Sequence, residues 1–476
     1  MNTTHCGRIE PITNRRDFLG RAAMGAGTIG LAGLMNRAEA SNRQVNPLLP
    51  QAPHFPAKAK HLIVLFMTGG PSQIETFDPK PELVKFNNRP LPPSFNADGI
   101  SLQFMRPTDG KLMASQFPFS KHGQSGVEVS SLYPHLAKHV DDMAVVRSCY
   151  HDSFIHGPAI TYMNTGSPLL GHPSVGAWVS YGLGCESDNL PAYIALSDGG
   201  FRGGKVMYHS GFLPAVYQGT VLRDQGVPIQ NLHRPQQITR DQQRALIDQI
   251  NAWNSRHRST RDGDSRLDAR IANYELAYRM QTAAPELIDL SRESKETKKL
   301  YGIDQKPTDR FGKMCLLARR MVERDVRCVL LCNTDWDGHG ECAKNHQTNA
   351  SRTDKPIAGL ISDLKQRGLL DETLIVWTGE FGRTPVMQGK NGRDHSPYGF
   401  TSWLAGGGIR GGKVIGATDE FAFRAVEDKV HVHDLHATLL SLLGLDHERL
   451  TYLFEGRQRT LTDIGGQNDL AQRLLS

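Results

Sequence analysis

Two hydropathy patterns alternate along the chain. One is a short, continuous apolar run that stops at glycine or polar residues; the other is a longer stretch with apolar positions at helical spacing. His61-Leu-Ile-Val-Leu-Phe-Met67 is the first such run, and Ala144–Cys149, Ala192–Leu196, Arg327–Cys332 and Thr373–Trp377 repeat it. Runs this short, apolar throughout and rich in β-branched or aromatic side chains predict strands buried on both faces, as in parallel sheets. Helical spacing covers 131–139, 240–253, 267–280, 311–323, 358–365 and 434–443. Strands alternating with helices predict an α/β fold, a mostly parallel sheet with helices on both faces. Ligands of such sheets bind beyond the carboxyl ends of the strands.

Residues 199–305 break this rhythm. They are rich in Arg, Gln and Asp, with long helical patterns and no convincing core strand, and read as a helical insertion or cap. A Pro-rich linker over 41–60 precedes the folded domain at 61–476. The first forty residues are of a different kind. Asn14-Arg-Arg-Asp-Phe-Leu19 is followed by a weakly apolar run from Ala22 to Met35 and closes on Ala38-Glu-Ala40. This predicts a twin-arginine signal peptide over 1–40 and a periplasmic or secreted protein. The run is shorter than the ~20 apolar residues that cross a bilayer, and no later stretch is apolar enough to be a transmembrane segment. Twin-arginine export usually carries folded, cofactor-loaded proteins, which favours a bound metal.

Composition excludes little. At 39% hydrophobic and 22% charged residues the chain falls with ordinary globular proteins. The formal charge is +6, and without the first forty residues it is +4. These charges are interspersed, which gives nucleic-acid binding no support. Cys6 lies in the signal; the other six cysteines make disulfides possible in an oxidising compartment. Cys328 and Cys332, inside an apolar run, are expected as buried free thiols.

Four polar clusters follow expected strands. They are Gly69–Asp78, His151–Ala159 leading to Asn164-Thr165-Gly166, Asp335–Gly340, and Thr378–Arg383 together with Gly392–His395. Carboxylates and imidazoles gathered at strand ends bind divalent metals, so a joint metal or phosphate site is expected. Two further motifs read as structural. Gly407–Lys413 has part of a phosphate-loop spacing but lacks the following Ser or Thr, and is expected as a glycine-rich loop bordering the site. His431, His433 and His436 accompany Asp434 at the start of an amphipathic helix, where capping is the expected role. Cys342 and His346 have zinc-ligand spacing without a matching pair nearby.

The order and wording of these clusters, with Gly-Phe-Leu-Pro-Ala-Val-Tyr-Gln-Gly (211–219) and Ala-Pro-Glu-Leu-Ile-Asp-Leu-Ser (284–291), resemble the bacterial family filed as domain of unknown function 1501. The resemblance covers nearly the whole mature chain. That family is in turn similar to the alkaline phosphatase and sulfatase superfamily, whose members usually hold one or two divalent metals and hydrolyse phosphate or sulfate esters. The resemblance implies an alkaline phosphatase-like core and one or two divalent ions (zinc, manganese or calcium). It implies a small anionic ester, or a sulfated or phosphorylated glycan, as substrate. Carried over by position, it implies Glu75 or Asp78 as the first metal carboxylate, Asp335 and His339 as a metal pair with Asp337 as rival, and Glu380 and His395 as further ligands. For the nucleophile, Asp152-Ser153 has the right letters, whereas the distance to Thr165-Gly166 suits His156; both stay open. Arg383 or Arg393 would steady an anionic transition state. No Cys-x-Pro-x-Arg or Ser-x-Pro-x-Arg occurs, so a formylglycine sulfatase of that type is not expected. Two functions follow: a metal-dependent ester hydrolase, or a non-catalytic scaffold or glycan-binding protein on the same fold. Gln73, and Phe381 following Glu380 where the superfamily usually has a ligand, favour the second.

Overall fold

A computed structural model describes residues 47–223, 229, 234, 236–259, 265–463, 465–467 and 469–476. The expected signal peptide, 1–40, lies outside the described residues. In chain order the strands are β1 (His61–Met67), the hairpin β2 (Phe119–His122) and β3 (Val127–Ser130), β4 (Met143–Tyr150), β5 (Tyr193–Ser197), β6 (Thr220–Val221), β7 (Cys328–Asn333) and β8 (Thr373–Thr378). There follow the hairpin β9 (Gly382–Gln388) and β10 (Gly392–Ser396), then β11 (Phe400–Gly406), β12 (Lys413–Ile415), the pair β13 (Ala417–Thr418) and β14 (Ala425–Glu427), β15 (Val430–His431), and the hairpin β16 (Tyr452–Phe454) and β17 (Arg457–Arg459).

Nine of these strands form one sheet in the order β12-β4-β11-β8-β1-β7-β5-β6, with β15 also pairing β4. Every pairing is parallel except those of β11, which runs antiparallel to β4 and β8. The apolar runs are continuous because both faces are covered. On β1, Ile63, Leu65 and Met67 join a core with the helices Asp309–Val322 and Cys342–Gln366. Leu62 and Phe66 point the other way, into a core with Val175–Leu183 and Val432–Leu442. The period of two along the strand therefore divides one run between two cores.

Some expectations needed amending. Residues 131–139 do not form an α-helix; Pro134 interrupts the pattern, and a 3-10 turn over Leu136–Asp142 takes its place. Its first N–H groups are met by another helix, since the Asp354 carboxylate accepts from His135 N (2.9 Å) and Leu136 N (2.8 Å). The segment 199–305 carries the helices Arg240–Ser259 and Ser265–Ile288, but also β6, which adds a short strand to the sheet edge. The described part of the Pro-rich linker is bound to the domain: Lys58 N and Ala59 N donate to Leu442 O at 2.8 and 2.9 Å. The glycine-rich loop after Gly406 does not border the strand ends where the polar clusters lie. β11 runs antiparallel, so it delivers that loop to the amino end of β8, where Gly407 N donates to Leu370 O (2.9 Å). No helix among the described residues is long and apolar enough to cross a membrane.

Candidate metal centre

The carboxyl ends of β1, β4, β7 and β8 open on the same side of the sheet, so the loops that follow them converge. Beyond β7 the chain turns through Thr334-Asp335-Trp336 and presents Asp337 and His339. Trp336 is fully buried and its indole N–H donates to Asn333 Oδ1 at 2.6 Å, which pins this turn to the strand. Beyond β4, His156 is the first residue of the helix His156–Thr165. His395 comes from the hairpin β9/β10, where it pairs with Arg383 and where the register shifts between Arg393 and His395. Such a bulge re-aims side chains.

His156, Asp337, His339 and His395 each offer one ligand atom, and these atoms lie within 4.8 Å of one another. Asp337 is the hub. Its Oδ1 lies 3.1 Å from His339 Nε2 and 3.4 Å from His395 Nε2, and its Oδ2 lies 3.0 Å from His156 Nε2. Each imidazole is held from behind through Nδ1. His339 meets Gln388 Oε1 (2.6 Å), His395 meets the Phe154 carbonyl (2.8 Å) and His156 meets Glu380 Oε1 (2.6 Å). Those three oxygens are acceptors, so each Nδ1 carries the hydrogen and each Nε2 turns a lone pair toward the Asp337 carboxylate. Three lone pairs facing a carboxylate repel unless something positive sits among them. One proton serves one nitrogen, whereas one divalent cation serves all three, so the donor set fits a metal.

The electrostatics follow from this crowding. Without a cation the three imidazoles would have to donate a second hydrogen, from Nε2, to the carboxylate; such bonds from His156, His339 and His395, with the Arg383 guanidinium, outweigh burial and hold the Asp337 acid far below the carboxylate range. Burial pushes His395 down to about 4, with Asp337 opposing and Arg383 and His156 assisting. At neutral pH it is an uncharged imidazole able to donate its lone pair. Burial also lowers His156, yet Asp337 and Glu380 flank it and bring its pKa above the usual value.

Arginines complete the surroundings. Arg383 is fully buried and donates to Gly70 O (2.9 Å), Arg393 O (3.1 Å), Gly69 O and Asp337 Oδ1 (2.6 Å). With its donors so committed it positions Asp337 and the β1 loop. Arg202, on the loop after β5, reaches Asp337 Oδ2 at 2.8 Å with a side chain 39% exposed, so it stands at the rim. The loop after β1 approaches so closely that only glycine fits: Gly69 has φ +117°, and a Cβ there would lie 2.5 Å from Asp337 N.

Four of the ten residues expected at the site form the cluster: His156, Asp337, His339 and His395. Glu380 stands one layer out. Its Oε1 accepts from Gly69 N (2.8 Å) and His156, while its buried Oε2 has no hydrogen-bond partner. Arg383 touches the cluster through Asp337. The other four are elsewhere. Glu75 is fully buried against Arg393, whose NH2 donates to Oε1 (2.7 Å), and its Oε2 accepts from Ser115 Oγ (2.8 Å). Glu75 and Arg393 thus engage each other outside the cluster. Asp78, the rival of Glu75, is likewise buried, on Lys80 (3.0 Å). Asp335 points outward with a side chain 77% exposed, because its φ of +77° reverses the turn before Asp337. Ser153 donates its backbone N–H to His151 Nδ1 (3.0 Å), and its hydroxyl makes no hydrogen bond to the cluster.

Arg202, Gln388 and Phe104 were not foreseen from the sequence. Arg202 could have been: it follows the apolar run Ala192–Leu196, and the strand-end rule applies to that run as to the others. Gln388 ends β9 and Phe104 lies between β1 and β2, and neither carries a local signal. His346 is not part of a zinc site. Burial lowers its pKa to about 3, its Nε2 accepts from Ser72 N (2.7 Å), and it steadies the β1 loop. His431 caps the helix Val432–Leu442 and forms a capping box with Asp434.

No curated protein matches the sequence. Among solved structures, the chain is similar to the PsFucS1 sulfatase from Pseudoalteromonas sp. (13% identity, TM-score 0.35, 86% of this chain and 72% of that one). It is similar to the lipoteichoic acid synthase LtaP from Listeria monocytogenes (11%, 0.37, 88% and 77%). It is also similar to the alkaline phosphatase from the Antarctic bacterium TAB5 (8%, 0.32, 82% and 99%). None of these assigns a role to a residue of this chain. Residues 59–472 match the family described as Protein of unknown function (DUF1501), and the chain belongs to that family.

Proposed function

We propose that this protein is an exported hydrolase of sulfate or phosphate esters that works with a divalent cation held by His156, Asp337, His339 and His395. The observation that carries the reading is the convergence of three imidazole Nε2 atoms on one carboxylate, each ring fixed from behind by an oxygen acceptor. A cation bound there supplies Lewis-acid polarisation of the ester and a nucleophilic water at neutral pH. The protein's own groups do the rest. Glu380 holds the His156 tautomer, Gln388 that of His339 and the Phe154 carbonyl that of His395. Arg383, buried and with four of its five donors engaged, fixes Asp337. Arg202 is the exposed guanidinium that receives the anionic group, the role expected earlier of Arg383 or Arg393. Of the two nucleophile candidates, His156 has both ring nitrogens on carboxylates and Ser153 stands off the cluster, so water is the nucleophile favoured.

The test is metal content of the mature protein, exported by its own signal and purified without chelator, followed by a screen of sulfate and phosphate esters. One equivalent of a divalent metal, lost in Asp337→Asn but kept in Asp335→Asn, together with turnover, is the expected result. Metal retained in Asp337→Asn would overturn the ligand set. Among the described residues no side-chain hydroxyl bonds to the cluster, which favours a second reading, a metal-dependent glycan-binding protein; metal with glycan affinity and no turnover would select it.

A further inference from the structure

One large apolar side chain at this centre stays open to solvent. Phe104 is 59% exposed, although its ring stands edge-on to His339 (centroids 5.1 Å) and near His395 (6.3 Å). Its neighbours behave otherwise. Leu102 and Met105 pack onto a separate apolar cluster with Leu112, Val386, Phe421 and Phe423, and that cluster does not include Phe104. The loop is anchored where it matters: Phe104 N donates to Asp394 Oδ2 (2.8 Å), while Asp394 Oδ1 accepts from His395 N (2.8 Å). One carboxylate thus ties the backbone of Phe104 to the backbone of a cluster histidine. Below, the buried ring of Phe381 packs against His395 at 4.4 Å, so His395 lies between two aromatic rings, one buried and one open to solvent. Ile155, the residue before His156, is 47% exposed as well.

We propose that Phe104 is the leaving-group platform of the site: it takes the flat apolar face of a ring, aryl or pyranose, whose ester group is held by Arg202 and the cluster. The inference rests on the hydrolase reading and narrows it, since a metal centre with a guanidinium and an exposed phenyl ring at its edge suits an ester that is anionic at one end and ring-shaped at the other. Aromatic side chains hold such faces through dispersion and C–H contacts that a short alkyl ester cannot make.

Binding, not turnover, is the test. Phenylphosphonate, a pyranose phosphonate and methylphosphonate are titrated calorimetrically into the full mature protein, purified without chelator. The wild type is expected to bind at least one ring phosphonate on the order of tenfold more tightly than methylphosphonate. Which ring gains distinguishes aryl from pyranose esters. Phe104→Ala should collapse the preference and Phe104→Trp should keep it; the exposed position makes both variants foldable. Equal affinities in the wild type, a preference surviving Phe104→Ala, or no binding of any phosphonate would overturn the proposal. Failure of the hydrolase reading looks different: ring preference intact, yet no ester hydrolysed.

Discussion

Glu75 and Asp337 each follow a parallel strand, and their carboxylates meet different sets of partners. Glu75 is sealed on Arg393, whose guanidinium also donates to Thr384 O and Met113 O. Glu75→Gln would leave Arg393 buried without its counter-charge, at a cost of about 3–5 kcal/mol. Chemical denaturation should show that loss while metal per chain is unchanged; unchanged stability with lost metal would mean that Glu75 is a ligand after all. Asp337 also meets guanidinium groups, those of Arg383 and Arg202, but is not sealed by them. It faces three imidazoles, so Asp337→Asn removes the one carboxylate of the set and should abolish the fall in melting temperature that a chelator causes in the wild type. A chelator effect equal in both proteins would count against the cluster.

At the scale of elements, the helix Asp309–Val322 is clamped to the segment before it by Glu293. Arg319 NH2 lies 2.8 Å from Glu293 Oε2 and Arg320 NH1 lies 2.5 Å from Oε1. Burial raises the Glu293 pKa, but Arg320 and Arg319 outweigh it and hold it below the ordinary 4.5. A carboxyl depressed in the folded protein contributes stability that is present above its unfolded pKa and lost as pH falls through the folded value. Glu293→Gln should therefore melt about 2–4 °C below the wild type at pH 7, with the gap closing as pH falls below 4.5. A gap independent of pH would point to packing instead of charge. The same scale explains what was legible early. Buried strands announce themselves because every position is apolar, and the five expected runs overlap β1, β4, β5, β7 and β8. β9 and β10 carry Arg383, Arg393 and His395 inside the protein, and polar strands of that kind resemble loops until their partners are known.

For the molecule as a whole, burial in the folded domain decides the fate of the cysteines. The six described cysteines are free and buried, although export had made disulfides conceivable. Cys328 and Cys332 sit on β7 with side chains in the same core, and burial pushes Cys149 and Cys342 up to about 12, so the thiols are poor nucleophiles. The protein without residues 1–40, denatured without reductant, should titrate six thiols, and reductant should leave its melting temperature unchanged. Fewer than six, with a melting temperature lowered by reductant, would reveal a disulfide.

Periodicity along the sequence determined the α/β class, the parallel core strands and the strand-end position of the polar clusters, because burial on two faces and turns at strand ends are local properties of the chain. The family resemblance, not periodicity, implied a short set of carboxylates and imidazoles for the cluster. Only the tertiary structure separated Asp337 from Asp335, sent Glu75 to Arg393 instead of the centre, and brought Arg202, Gln388 and Phe104 to its edge. Those outcomes depend on a left-handed turn at Asp335, a bulge in β10 and the meeting of loops distant in sequence. Two adjacent acids look alike until the backbone turns one toward solvent and the other toward three histidines.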